Sequence, residues 1–315
     1  MLLVQDEQRI ILDRFYAEIA SQFDEATIMR LSSEEQTNLK AYFERQIKCE
    51  DYDRIVLFLR FKKEIRQVAF LRTIPNLVFL EHDAYQNYSK SKYKGTFSRH
   101  YKKIPWVRVL SSGYTVSQKL QAEGVDAVFV PKCYDDVLIK NHHQVRDIEL
   151  GFIGSIKNKT YTQRKVFLEQ LSTREPLLIT RTKSGDDYVA TLNRVKFFIS
   201  ADIGMGEYMI KNFEAMAAGC VVLAWDQGEE ENRVLGFKDM ENIVLYRSLD
   251  ELRSKLHALR LDEEKTQSIA ASGQQLAEQE YTYKRAASRF ATALIPPLRI
   301  PCKKRVLFFN QYSYS

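Results

Sequence analysis

The first 146 residues alternate short apolar runs with segments of helical spacing. The apolar runs predict strands, and they are MLLVQ, ATIMRLS, DRIVLFLRF, NLVFLEH, WVRVLSS and AVFVPK. Between them lie amphipathic segments such as EQRIILDRFYAEIASQF, in which Ile10, Ile11, Phe15, Ile19 and Phe23 recur at helical intervals. Strands that alternate with helices predict a parallel sheet with helices on both faces.

A second round of the same pattern begins near Asp147. IELGFIGS, PLLIT, KFFIS, CVVLAW and NIVLY predict strands, with helical segments between them. The polar linker from Lys132 to Asp147 has no strong periodicity, and 315 residues suit two domains of ordinary size. We therefore predict an α/β protein with two doubly wound domains, residues 1–146 and 147–294.

Residues 295–315 form a tail with its own pattern. A basic turn and the apolar run RVLFF follow the last predicted helix. The run predicts a fresh strand. Either this strand packs on the first domain, or it begins a further module of a longer chain.

Charge and cysteine content narrow the choice of partners. The chain has 47 Lys and Arg against 41 Asp and Glu, yet no acidic residue lies between Ala84 and Ala122. Residues 90–108 mix lysines and arginines with Tyr93, Phe97 and Trp106, which predicts contact with an anionic membrane surface or an anionic acceptor. Nucleic acid is an unlikely partner, because no nucleic-acid motif accompanies the segment.

The four cysteines are far apart in the sequence, so neither a zinc site nor a disulfide framework is predicted. No stretch is long and apolar enough for a membrane span, and the start lacks the features of a signal peptide. We therefore expect a cytoplasmic protein, with peripheral contact to the inner face of the membrane as an open alternative.

Polar residues cluster where the predicted strands end. His82 and Asp83 follow the strand NLVFL, Gly154 and Ser155 follow GFI, and the loop from Asp202 to Glu207 follows KFFIS. Ligands of parallel sheets bind beyond the carboxyl ends of the strands. Two such rims facing each other across a cleft would form an active site.

The segment GEYMIKNFEAMAAGCVVLAW carries the main candidate for ligand binding. Gly204 and Gly206 precede a helix start, where backbone amides can bind a phosphate. Glu214 lies one turn inside, where its carboxylate could accept hydrogen bonds from two sugar hydroxyls. A phosphate site at the helix start and a ribose site at Glu214 together predict that this segment binds a nucleoside diphosphate. The alternative is that Glu214 is simply the solvent-facing residue of an amphipathic helix.

NFEAMAAGCVVLAWDQG resembles the Glu-Ala-Met-Ala-x-Gly helix, buried strand and glycine loop of nucleotide-sugar glycosyltransferases with the GT-B fold, in the group 1 retaining clan. GFIGS, ENIVLY and YTYKRAASRF support this resemblance, which covers residues 149–294. It implies two Rossmann-like domains facing a cleft, a nucleotide-sugar donor and no cofactor. The donor-binding residues that we predict are Gly154, Ser155, Lys157, Arg164, Gly206, Lys211, Asn212, Phe213 and Glu214.

The sequence departs from the family pattern at one position. Family members often have seven residues between two glutamates, whereas six residues separate Glu207 from Glu214, and Gly206 stands at the expected place. The resemblance implies that the first glutamate contacts the transferred sugar, which makes Glu207 a catalytic candidate. A short variant of the donor domain that keeps only the second glutamate fits this spacing better.

A diphosphate leaving group needs positive charge from a metal or from basic side chains. The only DxD triplet, at residues 51–53, precedes a strand and therefore predicts a turn, so we expect no metal site. The basic candidates after GFIGS are Lys157, Lys159, Arg164 and Lys165. We favour Arg164 as the diphosphate ligand, with Lys157 or Lys211 assisting, although each could simply face solvent.

In the first domain, His82 and Asp83 are the catalytic candidates, placed against the sugar or the acceptor hydroxyl; a histidine that caps the strand end is the alternative. The predicted reaction moves a sugar from the donor to a saccharide or lipid-linked glycan acceptor, as in polysaccharide or lipopolysaccharide synthesis. It is predicted to need no metal and, by resemblance, to retain the anomeric configuration. The alternatives are a nucleotide-sugar epimerase of the same fold and a catalytically silent sugar-binding or scaffold module.

Overall fold

The computed structural model describes residues 1–7, 12–157, 161–306 and 309–315, and it divides the chain into two compact units. The first unit comprises Met1–Pro131 with Ala286–Ser315, and the second comprises Lys132–Arg285. These limits differ from the predicted boundaries at 146/147 and 294/295. The predicted linker belongs to the second unit because Tyr134 exchanges backbone hydrogen bonds of 2.8 and 3.0 Å with Tyr281 and Tyr283.

All six strands predicted for the first unit are present, and they form one parallel sheet in the order β2-β1-β3-β4-β5-β6. The strands are β1 (Leu2–Gln5), β2 (Ile28–Leu31), β3 (Ile55–Phe58), β4 (Leu77–Glu81), β5 (Arg108–Ser111) and β6 (Asp126–Phe129). The helices are α1 (Asp13–Ala20), α2 (Leu39–Gln46), α3 (Phe61–Glu64), α4 (Val68–Leu71), α5 (Thr96–Tyr101) and α6 (Tyr114–Ala122). Ile10 and Ile11, predicted to belong to the first helix, lie outside the described residues.

The returning segment of the first unit is held by a buried arginine at the start of β5. The Arg108 guanidinium donates hydrogen bonds of 2.8 to 3.0 Å to the carbonyl oxygens of Ala293, Pro296 and Pro297. Its Nε also donates to Asp126 at 3.0 Å. Arg108 thereby supplies a partner for one carbonyl group in the last turn of this helix, Ala293, and for two in the segment that follows it.

The tail forms an antiparallel pair of strands, β12 (Pro301–Val306) and β13 (Phe309–Tyr314). Of the predicted strand RVLFF, Arg305 and Val306 belong to β12 and Phe309 begins β13, whereas residues 307 and 308 lie outside the described residues. Tyr312 packs near Trp106 and beneath the Arg72 guanidinium, which lies 4.1 Å from the centre of its ring. The tail therefore packs on the first unit.

The second unit has five parallel strands in the order β11-β10-β9-β7-β8, as the apolar runs predict. The strands are β7 (Ile148–Ile153), β8 (Leu177–Thr180), β9 (Val195–Ser200), β10 (Val221–Trp225) and β11 (Val244–Tyr246). The helices of this part of the chain are α7 (Thr162–Ser172), α8 (Asp186–Asn193), α9 (Ile210–Ala217), α10 (Glu229–Leu235), α11 (Leu249–Leu261), α12 (Glu263–Glu280) and α13 (Tyr283–Leu294). The last helix passes into the first unit at Ala286. Two doubly wound parallel sheets confirm the predicted α/β class.

The strand order locates the place where a ligand is expected in the second unit. The chain leaves β7 toward β8 on one side, and later returns to place β9 on the other side. Two loops therefore diverge at the carboxyl ends of β7 and β9, which opens a crevice there. In doubly wound sheets this switch point is where ligands bind.

Gly219 makes the sharp turn between α9 and β10. Its φ of 78° is in the left-handed region, and a Cβ added there would crowd Asn141 and come within 2.9 Å of Arg146. Arg146 cannot give way freely, because it donates to the carbonyl oxygens of Ala218 and Val195. The turn that leads from the helix into the buried strand therefore requires glycine.

We expect Gly219→Ala to lower the free energy of unfolding by about 2 kcal/mol, from the left-handed backbone and the crowding together. Gly236→Ala is the matched control, because its φ of 68° is also left-handed but its added Cβ makes only an ordinary 3.5 Å contact with Leu276. Urea unfolding of both variants measures the difference. Equal losses would show that crowding at Gly219 contributes nothing.

Candidate active site

Arg164 lies at the switch point of the second unit. It stands in the first turn of α7, as predicted, but only 8% of it is exposed. Its guanidinium donates to Asp202 Oδ1 at 2.6 Å, to the Ala201 carbonyl oxygen at 3.2 Å and to the Ser155 carbonyl oxygen at 3.4 Å. Arg164 thus joins the ends of β7 and β9 beneath the crevice.

Asp202 uses its second oxygen to cap α9. Oδ2 accepts hydrogen bonds from the Met209 amide at 3.2 Å, from Asn212 Nδ2 at 2.9 Å and from the Ser200 hydroxyl at 3.0 Å. The helix start that was predicted to bind a phosphate therefore already has an internal carboxylate. Asn212, predicted to bind the donor, is fully buried and instead holds Asp202 in place.

The glycine loop before α9 is supported by a glutamine that sequence reasoning did not single out. Gln227, which follows β10, accepts from the Gly206 amide at 3.0 Å and donates to the Asp202 carbonyl oxygen at 2.9 Å. Gly206 has a φ of 70°, and a Cβ added there would meet nothing within 4 Å. The loop therefore leaves open space beside its backbone, as close approach of a ligand requires.

Glu214 is not a free surface residue. It is half-buried, and its Oε2 accepts a hydrogen bond of 2.6 Å from the hydroxyl of Tyr188 on α8. Lys211 lies one turn earlier on α9, with its Nζ 3.9 Å from the centre of the Tyr188 ring. Three side chains from two helices are therefore joined. The sequence did not reveal Tyr188, because a tyrosine in an apolar helical pattern is typical of a core residue.

The charge of Lys211 has little compensation in the described part of the chain. Burial lowers the pKa of its ammonium group, and the attraction of Glu214 only partly opposes this shift. Among the described residues, no carboxylate oxygen lies within the 4.0 Å that defines an ion pair with its Nζ. Burial also raises the pKa of Tyr188 well above its usual value, and the neighbouring Glu214 charge adds to the effect. The Tyr188 hydroxyl is therefore protonated at neutral pH and donates to Glu214.

The residues that follow β7 lie at the same edge of the sheet. The Gly154 amide donates to the Thr180 carbonyl oxygen at 2.9 Å, and Ser155 is half-buried. Lys157 is exposed, and Lys165 is also exposed with an ion pair of 3.6 Å to Glu169. Lys159 lies outside the described residues.

Two predicted site residues are buried away from the rim. Phe213 is 1% exposed and packs its ring 4.4 Å from the ring of Tyr281, so it is a core residue rather than a donor contact. Glu207 is also 1% exposed, and its Oε1 accepts from Lys132 Nζ at 2.7 Å. This buried ion pair differs from the predicted sugar contact, because the carboxylate is not presented at the surface.

In the first unit, His82 and Asp83 lie just beyond the end of β4. His82 is half-buried, with its ring 5.0 Å from the ring of Phe58 at the end of β3. Asp83 is exposed, and its backbone amide donates to Glu81 Oε1 at 2.7 Å. Both residues therefore lie on the carboxyl edge of their sheet, where functional groups are expected.

The triplet at residues 51–53 precedes β3, and Cys49–Asp51 form a 3-10 helix there. Within the described ranges, no group of three or more His, Cys, Asp or Glu residues is arranged to hold a metal ion. In the same ranges, no helix is long and apolar enough to cross a membrane.

Two parallel α/β units of this topology match solved structures along almost the whole chain. A sucrose-phosphate synthase from Thermosynechococcus elongatus has 10% identity and a TM-score of 0.67, over 92% of this chain and 97% of that chain. HepE from Anabaena, solved with UDP and glucose, has 14% identity and a TM-score of 0.67, over 93% of this chain and 98% of that chain. The T4 phage enzyme BGT, solved with its UDP-glucose substrate, has 11% identity and a TM-score of 0.57, over 94% and 99%.

Residues 153–292 match the family described as glycosyl transferase-like, whereas no curated protein matches the chain in sequence. The fold of both units and this family match together confirm the predicted resemblance. Residues 153–292 are therefore similar to this glycosyl transferase-like family, and both units have the fold of the solved structures named above.

The contacts of Arg164 predict that it stabilises the fold. Arg164→Met should lower the free energy of unfolding by about 3 kcal/mol, because it leaves the buried Asp202 carboxylate without its ion-pair partner. Lys165→Met, next in sequence and exposed, should cost less than about 0.5 kcal/mol. Chemical unfolding measures both values. If Arg164→Met weakens diphosphate binding but leaves stability unchanged, Arg164 is a ligand-binding residue instead.

Proposed function

We propose that the second unit binds the nucleoside diphosphate sugar, with the ribose on Glu214 and the diphosphate near Lys211. The supporting observation is the pairing of a half-buried carboxylate with a half-buried ammonium group on the first turns of α9. Glu214 offers hydrogen-bond acceptors, which ribose hydroxyls require. Lys211 offers a cation that has no ion pair with a carboxylate among the described residues, and a diphosphate would neutralise it.

The arrangement also supports a reaction that needs no metal. The leaving diphosphate develops negative charge, and a positioned cation in a site with little water stabilises that charge strongly. Lys211 would supply it, with the exposed Lys157 at the edge of the same sheet as a second source. Gly154, Ser155 and Gly206 would let the phosphates approach the backbone. Arg164 would contribute indirectly, because its hydrogen bonds connect the segments that follow β7 and β9.

The nature of the donor is proposed from the similar structures. HepE and BGT were solved with UDP, glucose or UDP-glucose, so we propose a uridine diphosphate hexose as the donor. Retention of the anomeric configuration is proposed from the resemblance to the group 1 clan. A saccharide or lipid-linked glycan would be the acceptor, and His82 and Asp83 would contact it or the transferred sugar.

Glu214→Gln tests the proposed ribose contact. The substitution keeps the size of the side chain but removes the charge from its hydrogen bonds, so the affinity for UDP should fall at least about tenfold. Titration calorimetry with UDP measures this change, and turnover of UDP-glucose should fall with it. Glu230→Gln on α10 is the control, because Glu230 is exposed and pairs only with Arg233 in the contacts described.

An unchanged UDP affinity in Glu214→Gln would overturn the ribose contact. The products distinguish the reaction type: transfer yields a new glycoside and UDP, whereas release of a free epimerised sugar would support an epimerase. Product analysis by nuclear magnetic resonance resolves the two, and it also reports the anomeric configuration.

We further propose that an anionic membrane surface contacts the basic face of the first unit, formed by the exposed residues Lys90, Lys92, Lys94, Arg99 and Lys103. The aromatic residues of the same segment were predicted to take part. Instead Phe97, Tyr101 and Trp106 are at most 2% exposed and belong to the core. Contact through the basic face would therefore be electrostatic and would not involve insertion of these rings.

Charge reversal of Lys90, Lys92 and Lys94 to Glu should weaken binding to phosphatidylserine vesicles by at least about tenfold, since each lysine near such a surface contributes about 1 kcal/mol. Sedimentation with the vesicles measures binding. Added salt should weaken binding of the unaltered protein, because screening acts on exposed charges. Reversal of the exposed Lys238, Lys265 and Lys284 is the matched control. Equal losses in both triple variants would exclude a specific basic face.

A further inference from the structure

We propose that Tyr188 is a positioning residue that sets two binding groups at once: its hydroxyl orients Glu214 toward the ribose, and its ring holds Lys211 toward the diphosphate. This inference rests on the proposed function, and it assigns a role to a residue outside the predicted site. Neither Glu214 nor Lys211 would have a fixed orientation from α9 alone, because both are long side chains on the helix surface.

Tyr188 is itself well fixed. It lies in the first turn of α8, which begins after Gly185, and it is 7% exposed. On the same helix, Asn193 is fully buried and donates to the Lys140 carbonyl oxygen at 3.0 Å. A buried ring on an anchored helix has little freedom to move. The Glu214 carboxylate and the Lys211 ammonium group, which contact Tyr188, are therefore restricted in position as well.

The hydroxyl of Tyr188 fixes the carboxylate. It donates a hydrogen bond of 2.6 Å to Glu214 Oε2. An ionised carboxylate can accept about four hydrogen bonds, so one bond to Tyr188 leaves Oε1 and a further position for sugar hydroxyls. The hydroxyl therefore orients Glu214 without consuming its capacity to bind ribose.

The ring of Tyr188 fixes the ammonium. Lys211 Nζ lies 3.9 Å from the ring centre, which is well within the range of a cation–π interaction. A carboxylate at this place would neutralise Lys211 and compete with a phosphate. An aromatic face holds the cation without forming an ion pair with it, so that the more distant Glu214 compensates its charge only in part. The hydroxyl group of Tyr188 thus positions the residue that would bind the ribose, and its ring positions the residue that would bind the diphosphate.

This division of roles can be tested with two substitutions and three ligands. The ligands are UDP, 2′,3′-dideoxyuridine diphosphate, which lacks both ribose hydroxyls, and UMP, which lacks the second phosphate. Tyr188→Phe removes the hydroxyl and keeps the ring. Tyr188→Leu removes both, and Tyr188→Met replaces it if the leucine variant does not fold. Titration calorimetry gives two ratios of affinity, UDP over the dideoxy compound and UDP over UMP.

We expect Tyr188→Phe to lower the first ratio about fivefold and to leave the second ratio within twofold of the unaltered protein. The variant without the ring should lower both ratios about fivefold. A merely structural role would weaken all three ligands together and would leave both ratios unchanged. Tyr281→Phe is the matched control, because its buried hydroxyl donates at the same 2.6 Å, but to the Leu235 carbonyl oxygen.

Glu214→Gln separates failure of this inference from failure of the proposed function. If Glu214→Gln lowers the first ratio but Tyr188→Phe does not, or if Tyr281→Phe lowers it equally, the role of Tyr188 is overturned and the ribose contact stands. An unchanged second ratio in the variant without the ring overturns the role of the ring. If Glu214→Gln leaves the first ratio unchanged, or no UDP binds to the unaltered protein, both proposals are overturned.

Discussion

The second unit depends on one buried carboxylate at the point where its sheet reverses direction. Asp202 follows β9 in the sequence, forms an ion pair with Arg164 of α7 and accepts a hydrogen bond from the backbone amide at the start of α9. Among the described residues, no backbone hydrogen bond joins the segments that follow β7 and β9, and side chains connect them instead. Removing charges from water is costly, and the pair is stable because each remaining oxygen and nitrogen has a partner. The shape of the crevice follows from this network.

The same network explains which charges remain available to a ligand. Arg164 has Asp202 as its counter-ion, and Glu207 has Lys132. Lys211 rests on an aromatic face instead, and Glu214 accepts from a neutral hydroxyl. A charge in an ion pair is largely neutralised by its partner and mainly stabilises the structure around a site. A charge that contacts a neutral group is less neutralised and can still attract a ligand. The distinction between supporting and binding residues is therefore electrostatic, and it cannot be inferred from residue type alone.

Much of the fold and part of the site could be predicted from local sequence. Continuous apolar runs such as CVVLAW predicted buried parallel strands, since both faces of such strands are covered. Glu214 was predicted because it is charged within an otherwise apolar helix. Phe213 and Asn212 were predicted donor-binding residues that belong to the same motif as Glu214. On a helix, however, neighbouring residues point about 100° apart, so both are turned into the core.

The sequence alone determined the alternation of strands and helices, the parallel sheets and the glycine at the turn after α9, because these features follow from local periodicity and backbone geometry. Only the tertiary structure decided the partners. Tyr188 lies 26 residues from Glu214, and Arg164 lies 38 residues from Asp202. The fold brings these pairs together across different helices and strands. Periodicity identifies the buried face of an element, but the charge that a buried group meets depends on which other element packs against it.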